Sequence, residues 1–378
     1  MAVLIVIFII SFLVIIHELG HFFAAKKAKI NVEEFGLGYP PKIKKLFSWR
    51  GTNFTLNLIP FGGFVRLEGE SGPESEEKKL DQVKPDKWGP FYTKTAKQRL
   101  MVIMAGVIVN LVFGVLAFSI VFSFIGIPTE LINQARIGWV LENSPAAEAG
   151  LLDNVNIIEI RTDQNTYKIT DFTKVQEAIA VNKGQNLTIV TSLACDGAVC
   201  PQETQEFNVY ARTEEETPEG EGSLGIVFES LVYHFYPWYQ MPFRGTWYGI
   251  KQAVGLGYLI IQALFQMVIQ LAVTGQVPKD VAGPVGIVYE AQQGNIITDD
   301  FWSNLGFAGM LSINLGVMNL LPIPALDGGR ALFILLEKIF GKKHIQKIEA
   351  YANYGGFALL ILLILMITYK DIMRIIVG

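Results

Sequence analysis

Long apolar runs dominate the pattern of this chain. Met1–Ile16, Leu100–Ile127, Phe301–Leu326 and Gly355–Tyr369 contain no Asp, Glu, Lys or Arg. They show neither the period of two of a half-buried strand nor the one-sided stripe of a surface helix. That pattern predicts helices apolar on every face, of the kind that crosses a ~30 Å hydrocarbon layer. A fifth run, Trp247–Val273, differs. Gln262, Gln266 and Gln270 recur at helical spacing, and Lys251 and Gln252 stand near its start. Such a polar stripe predicts a helix over 247–274 that lies at an interface or lines a cavity. Alternation of period two marks Asn53–Ile59, is broken at Pro60 and Gly62-Gly63, and is followed by Phe64-Val-Arg-Leu67. This predicts a β-hairpin over 49–68.

Composition sharpens the picture. Of 378 residues, 51% are hydrophobic and 17% charged, and the mean hydropathy is +0.36. Soluble domains carry nearer about 25% charged residues. The net charge of −4 says little, but its placement says more. Residues 25–100 hold 15 Lys or Arg, whereas 127–246 hold 7 against 17 Asp or Glu. By the positive-inside rule, 25–100 is expected in the cytoplasm and 127–246 outside. A cleaved signal peptide fits poorly, because its positive charge precedes the apolar core, and here Lys26, Lys27 and Lys29 follow it. Cys195 and Cys200 flank an Asp-Gly turn in the outer region. A hairpin-tip disulfide suits that compartment, and two free thiols also fit.

The chemistry sits where charge is costliest. His17-Glu18-Leu19-Gly20-His21 reads H-E-x-x-H directly after the first apolar run. Residues i and i+4 share a helix face, so both imidazoles can reach one Zn²⁺. The glutamate beside the first ligand is placed to take a proton from water at the metal. Two histidines and a carboxylate inside a membrane span are expensive to keep without a function. A catalytic zinc needs a third protein ligand and one open position. The candidate is Asp327, which ends Asn319-Leu-Leu-Pro-Ile-Pro-Ala-Leu-Asp327 and precedes Gly328-Gly329. Pro322 and Pro324 break the helix there, and the glycines permit a turn that aims the carboxylate sideways. Glu337 and Asp280 are weaker rivals. All ligands must meet within ~2 Å of one ion, so 301–326 must run towards the depth of His17. If successive crossings alternate, an extra crossing by 247–273 would strand Asp327 on the wrong side. That segment is therefore expected not to span.

Taken in order along almost the whole chain, these motifs resemble the site-2 protease family of intramembrane metalloproteases. Within it, the nearer likeness is to the bacterial regulator of sigma-E protease branch. Besides H-E-x-x-H and the late L-D-G-G, the matching segments are Glu34–Pro41, Ile59–Arg66, Gln98-Arg-Leu with Ala105–Asn110, and Ala282–Ile287. The resemblance implies that His17, His21 and Asp327 bind one Zn²⁺ and that Glu18 is the catalytic base. It also implies that Asn314 and Asn319 help hold the substrate. The hairpin, with Phe64 and Val65, would dip into the membrane beside the metal. Its edge strand would there pair with the backbone of an unwound substrate helix, whose freed peptide groups find no partner in lipid. Ile137–Leu151 resembles the opening of a PDZ domain running to Arg212, although Asp153-Asn-Val-Asn-Ile-Ile departs from the usual Gly-Asp-x-Ile.

The expected fold is an α-helical membrane protein with about four transmembrane helices, a membrane-dipping β-hairpin and one extracytoplasmic PDZ-like α+β domain. Its expected boundaries are a first span at 1–25, a cytoplasmic loop at 26–97, a second span at 98–127 and the PDZ-like domain at 128–213. A post-PDZ region at 214–300, a third span at 301–327, a cytoplasmic connection at 328–351 and a fourth span at 352–378 follow. The expected activity is zinc-dependent intramembrane endopeptidase action in a bacterial inner membrane, with the active site towards the cytoplasm. Substrates would be single-pass membrane proteins, such as anti-sigma factors or signal-peptide remnants, first clipped outside by an upstream site-1 protease. Besides the bilayer and these substrates, no nucleic-acid partner is expected. A non-catalytic PDZ-containing scaffold is the alternative, but it has no use for His17, Glu18 and Asp327. A metal transporter would want polar residues on several spans.

Overall fold

The structure, a computed structural model, describes residues 2–70, 88–130, 134–193, 203–218, 221–229, 231–274 and 300–377, with Gly283, Gly286 and Tyr289. Cys195, Cys200 and Asp280 lie outside the described residues. Two compact units form: Met1–Ile125 with Pro237–Gly378, and Gly126–Tyr236.

The first apolar run becomes α1 (Ala2–Lys27), which stays helical through the H-E-x-x-H motif. A hairpin of β1 (Val32–Trp49) and β2 (Thr52–Leu67) follows. Its turn is not at Pro60–Gly63, as the sequence predicted, but at Arg50-Gly51, with φ of 46° and 80°. Two positive φ values in succession suit the right-handed twist of the flanking strands. The hairpin also doubles back on itself. Phe35 pairs with both Phe54 and Val65, while Phe54 also pairs with Phe47. Four ladder segments therefore lie in the order 42–49, 52–57, 34–37 and 63–67, and 63–67 is an edge. The alternation near Asn53 was legible, but the pairing of Phe35 with the distant Val65 left no local signal.

α2 (Ala96–Phe124) opens with a capping box, Thr95 Oγ1 accepting from Gln98 N–H and Gln98 Oε1 from Thr95 N–H. The second unit contains β3 (Ile127–Glu130), β4 (Ile137–Val140), the single-turn α3 (Pro145–Glu148), β5 (Val155–Arg161) and β6 (Thr166–Lys168). It continues with α4 (Phe172–Val181), β7 (Asn186–Leu193), β8 (Thr204–Tyr210), β9 (Ile226–Phe228) and β10 (Leu231–His234). The antiparallel sheet runs β6-β5-β7-β8, while β9 pairs with β4 and β10 with β3. Alternation in β7 buries Leu187 and Ile189 in one core with Val175 and Ala178 of α4. Asp171 caps α4, and the Thr173 hydroxyl holds its carboxyl below the ordinary range. This unit closes at Tyr236 rather than near 213, because β9 and β10 return to pair with strands at its start.

The first unit resumes with α5 (Met241–Thr274), α6 (Phe301–Leu320), α7 (Asp327–Phe340) and α8 (Lys342–Val377). Among the described residues, four helices are long and apolar enough to cross a membrane: Val3–Lys27, Ala96–Phe124, Met241–Leu271 and His344–Arg374. The set includes α5 and does not include the 20-residue α6. Small residues let these helices approach closely. Gly20 of α1 meets Ala105 and Gly106 of α2, while Phe12 meets Phe113, so the two are antiparallel. α6 is antiparallel to α2 as well, with Trp302 stacked on Phe124 and Ser312 donating to Asn110 O at 2.8 Å. α5 lies lengthwise on α2, Gly245 against Ser123 and Gly249 against Ser119. α5 and α6 both oppose α2 in direction. A lengthwise α5 consequently leaves the descent of α6 towards Asp327 unchanged, which the parity argument from sequence had not allowed.

An ionic layer ties the ends of these elements together. Arg99 of α2 grips Glu337 of α7 through both guanidinium nitrogens, their side chains 6% and 7% exposed. Arg330 of α7 pairs with Glu70, just beyond β2, and the Phe91 ring lies beneath both arginines. Removing one partner of such a pair strands a buried charge. We expect Arg99→Met to lower the unfolding free energy by about 3 kcal/mol or more, measured by reversible unfolding in mixed micelles. The double variant R99M/E337M should recover most of the loss.

Candidate metal centre

One turn of α1 sets His17 and His21 on the same face, their ring centroids 4.7 Å apart. The opposing wall is α2, and it fits only because two positions lack a side chain. A Cβ on Gly106 would stand 2.5 Å from His21 Nε2 and 2.8 Å from His17 Nε2. A Cβ on Gly20 would stand 2.7 Å from Ala105 O. Asp327 arrives on the first turn of α7, after a turn too tight for side chains at Gly328 and Gly329.

Three ligand atoms converge. His17 Nε2 lies 3.0 Å from Asp327 Oδ2, His21 Nε2 lies 3.2 Å from the same oxygen, and the two nitrogens are 3.1 Å apart. Atoms each ~2.0–2.1 Å from a tetrahedral ion are about 3.3 Å from one another. The triangle is therefore close to the face of a zinc tetrahedron, with the fourth vertex unclaimed by these residues. Among the described residues, this is the one His/Cys/Asp/Glu group of three or more placed to hold a metal ion.

The remaining ring nitrogens decide which tautomer is present. His21 Nδ1–H donates to Val102 O at 2.9 Å, which leaves Nε2 bare for a metal. His17 Nδ1 lies 3.2 Å from the Asn110 amide. With the amide nitrogen turned to the ring, Asn110 Oδ1 is buried without a partner. The opposite amide orientation places Oδ1 on His17 Nδ1–H and frees Nε2, as a ligand requires. Both imidazoles thus fit a metal through Nε2, and the Asp327 carboxylate supplies the compensating charge.

Glu18 stands beside the triangle, its Oε2 accepting from Val65 N–H at 3.0 Å. Phe64 and Val65 belong to the edge segment 63–67, and the Val65 N–H turns away from the ladder towards Glu18. Asn314 lines a cavity of about 200 Å³ between α1 and α6, with Ile10, Leu13, Val14, Leu311, Leu315 and Met318. Asn319 is half-buried in the last turn of α6. The rival ligand Glu337 is removed from contention, because Arg99 clasps both of its oxygens. Sequence reasoning missed Gly106 and Asn110 as parts of the site. Asn110 did carry a signal, as an amide in an otherwise apolar run.

Comparison with known proteins agrees with this chemistry. The family model for peptidase family M50 matches residues 5–363. The zinc metalloprotease RasP of Oceanobacillus iheyensis is 30% identical, with 98% of this chain and 99% of that protein covered. The zinc metalloprotease RasP of Geobacillus kaustophilus is 29% identical, with 98% of each covered. The regulator of sigma-W protease RasP of Bacillus subtilis is likewise 29% identical, again over 98% of each. With its apolar helices and its likeness over nearly the full length, the chain belongs to peptidase family M50, the site-2 proteases, and is a membrane-embedded zinc metalloprotease.

Proposed function

We propose that His17, His21 and Asp327 hold the zinc ion, and that Glu18 is the base of an endopeptidase acting on transmembrane segments of single-pass membrane proteins. The observation that carries this reading is the triangle of two imidazole nitrogens and one carboxylate oxygen, with edges of 3.0–3.2 Å, inside a bundle of apolar helices. A scaffold has no use for such a costly arrangement. When bound, the ion supplies a Lewis acid that polarises the scissile carbonyl and acidifies water. Glu18 takes the proton of the attacking water and passes it to the leaving amine nitrogen as the C–N bond breaks. His17 and His21 stay neutral donors, their tautomers set by Asn110 and Val102 O.

A helical substrate hides its peptide groups in its own hydrogen bonds and must be extended to be cut. The edge segment 63–67 offers backbone partners for the extended chain. Its Val65 N–H is spent on Glu18, so a substrate strand that takes this N–H also releases the carboxylate for proton transfer. Asn314 and Asn319 face the same duty from α6. The relatives include a protein named regulator of sigma-W protease, which favours membrane-bound regulators of sigma factors as the substrate class, cut after an earlier extracytoplasmic cleavage. The unit 126–236 is proposed as a PDZ-like domain on the outer side of a bacterial inner membrane. The 7 Lys or Arg in 127–246 against 15 in 25–100 support that placement.

Two variants test the site. Glu18→Gln is expected to retain zinc yet lose at least about 10³-fold in cleavage of a reconstituted single-pass substrate; wild-type turnover would sink the mechanism. Gly106→Leu would drive a side chain into both imidazoles, and zinc retention against a chelator should fall at least about tenfold. Unchanged retention would place the metal elsewhere.

A further inference from the structure

We infer that Asn353, on α8, is a positioning residue for the turn that presents Asp327; the inference rests on the metal-centre reading above. Residues 321–326 connect α6 to α7. Pro322 and Pro324 have no N–H. Leu321 N–H donates to Met318 O, Ile323 N–H to Leu321 O, and Leu326 N–H to Ile323 O. The Ala325 N–H goes elsewhere, to Asn353 Oδ1 at 3.0 Å. Of the donors in this turn, it is the one satisfied by a side chain from another helix.

Ala325 is also the strained residue of the turn. Its φ is +74°, in the left-handed region that a residue bearing a Cβ rarely adopts. The surroundings leave the turn little room. Added Cβ atoms on Gly328 and Gly329 would stand 2.2 Å from the carbonyl oxygens of Leu320, Leu321 and Ile323. From the other side, a Cβ on Gly356 would stand 2.7 Å from both Pro324 Cβ and Pro324 O. Asn353 and Gly356 are three residues apart and share a face of α8. That face thus brings an acceptor to the strained residue and a flat surface to its neighbour. Asp327 follows Ala325 by two residues, so a rotation at 325 swings its carboxylate away from the histidines. An Ala325 N–H robbed of Asn353 loses the partner that fixes its direction, and the turn would relax out of the left-handed region.

The test uses the full chain purified with zinc in detergent, with zinc affinity read by chelator competition and cleavage read in parallel. Asn353→Ala is expected to weaken zinc binding about tenfold and to lower cleavage in step. Ala325→Gly alone should bind zinc at least as tightly as the natural chain, because glycine adopts this φ without steric cost. Added to N353A, it should restore most of the affinity, a rescue that loss of packing alone would not allow. Wild-type affinity in N353A, or no recovery in the double variant, overturns the inference. If N353A does not fold, recovery of folding and zinc in N353A/A325G supports it, and failure of both overturns it. Asp327→Asn is the parallel control. Zinc retained by D327N would defeat the metal-centre reading itself, whereas zinc lost by D327N and kept by N353A would defeat the role of Asn353 alone.

Discussion

Everything in the membrane unit answers to one constraint: three polar atoms have to meet inside a bundle whose helices are otherwise apolar. Unpaired, two imidazoles and a carboxylate would each be costly there. Brought within 3.0–3.2 Å of one another, they form a triangle that could hold a metal ion. The meeting depends on the close approach of α1 and α2, which depends on glycine at 20 and 106. It depends equally on the backs of the rings. Val102 O and Asn110 occupy the Nδ1 atoms, so that Nε2 is what each histidine offers.

The helix that carries Asp327 also carries the ionic layer. Arg330 and Glu337 sit further along α7 and reach Glu70 and Arg99. Glu70 follows the strand whose Val65 N–H holds Glu18. Asp327, Glu18 and the edge segment 63–67 are therefore linked through one short helix and two ion pairs, one buried and one half-buried. Ion pairs of this kind add little net stability over apolar packing, but they penalise any other register of the elements they join. That suits a site whose parts come from distant stretches of chain.

Much of this was legible in the residues themselves. H-E-x-x-H after a charge-free run, and L-D-G-G after a broken helix, pointed to the residues that the fold brings together, His17, His21 and Asp327, with Glu18 beside them. The charge-free runs at 100–127 and 301–326 marked two of the helices that frame the site. Other features were hidden for identifiable reasons. The hairpin turn at Arg50-Gly51 lies where no Asn-Gly or Asp-Gly advertises it, while Pro60 and Gly62-Gly63 advertised a turn that a folded-over strand used instead. The glutamines of α5 spoke for an interface, but Gly245 and Gly249 on the same helix fix it lengthwise to α2, and glycine spacing is a weak signal without its partner.

The sequence alone determined which segments are helical and apolar, and which residue types could bind and activate at a metal. Those properties depend on composition and period, which are local. Only the tertiary structure decided which amide backs His17, which glycine admits the second helix, and which side chain holds Ala325 in its left-handed conformation. Each of these is a relation between positions as far apart as the 310 residues that separate His17 from Asp327. No local pattern records such a relation, because close packing is a property of pairs of surfaces and not of either one.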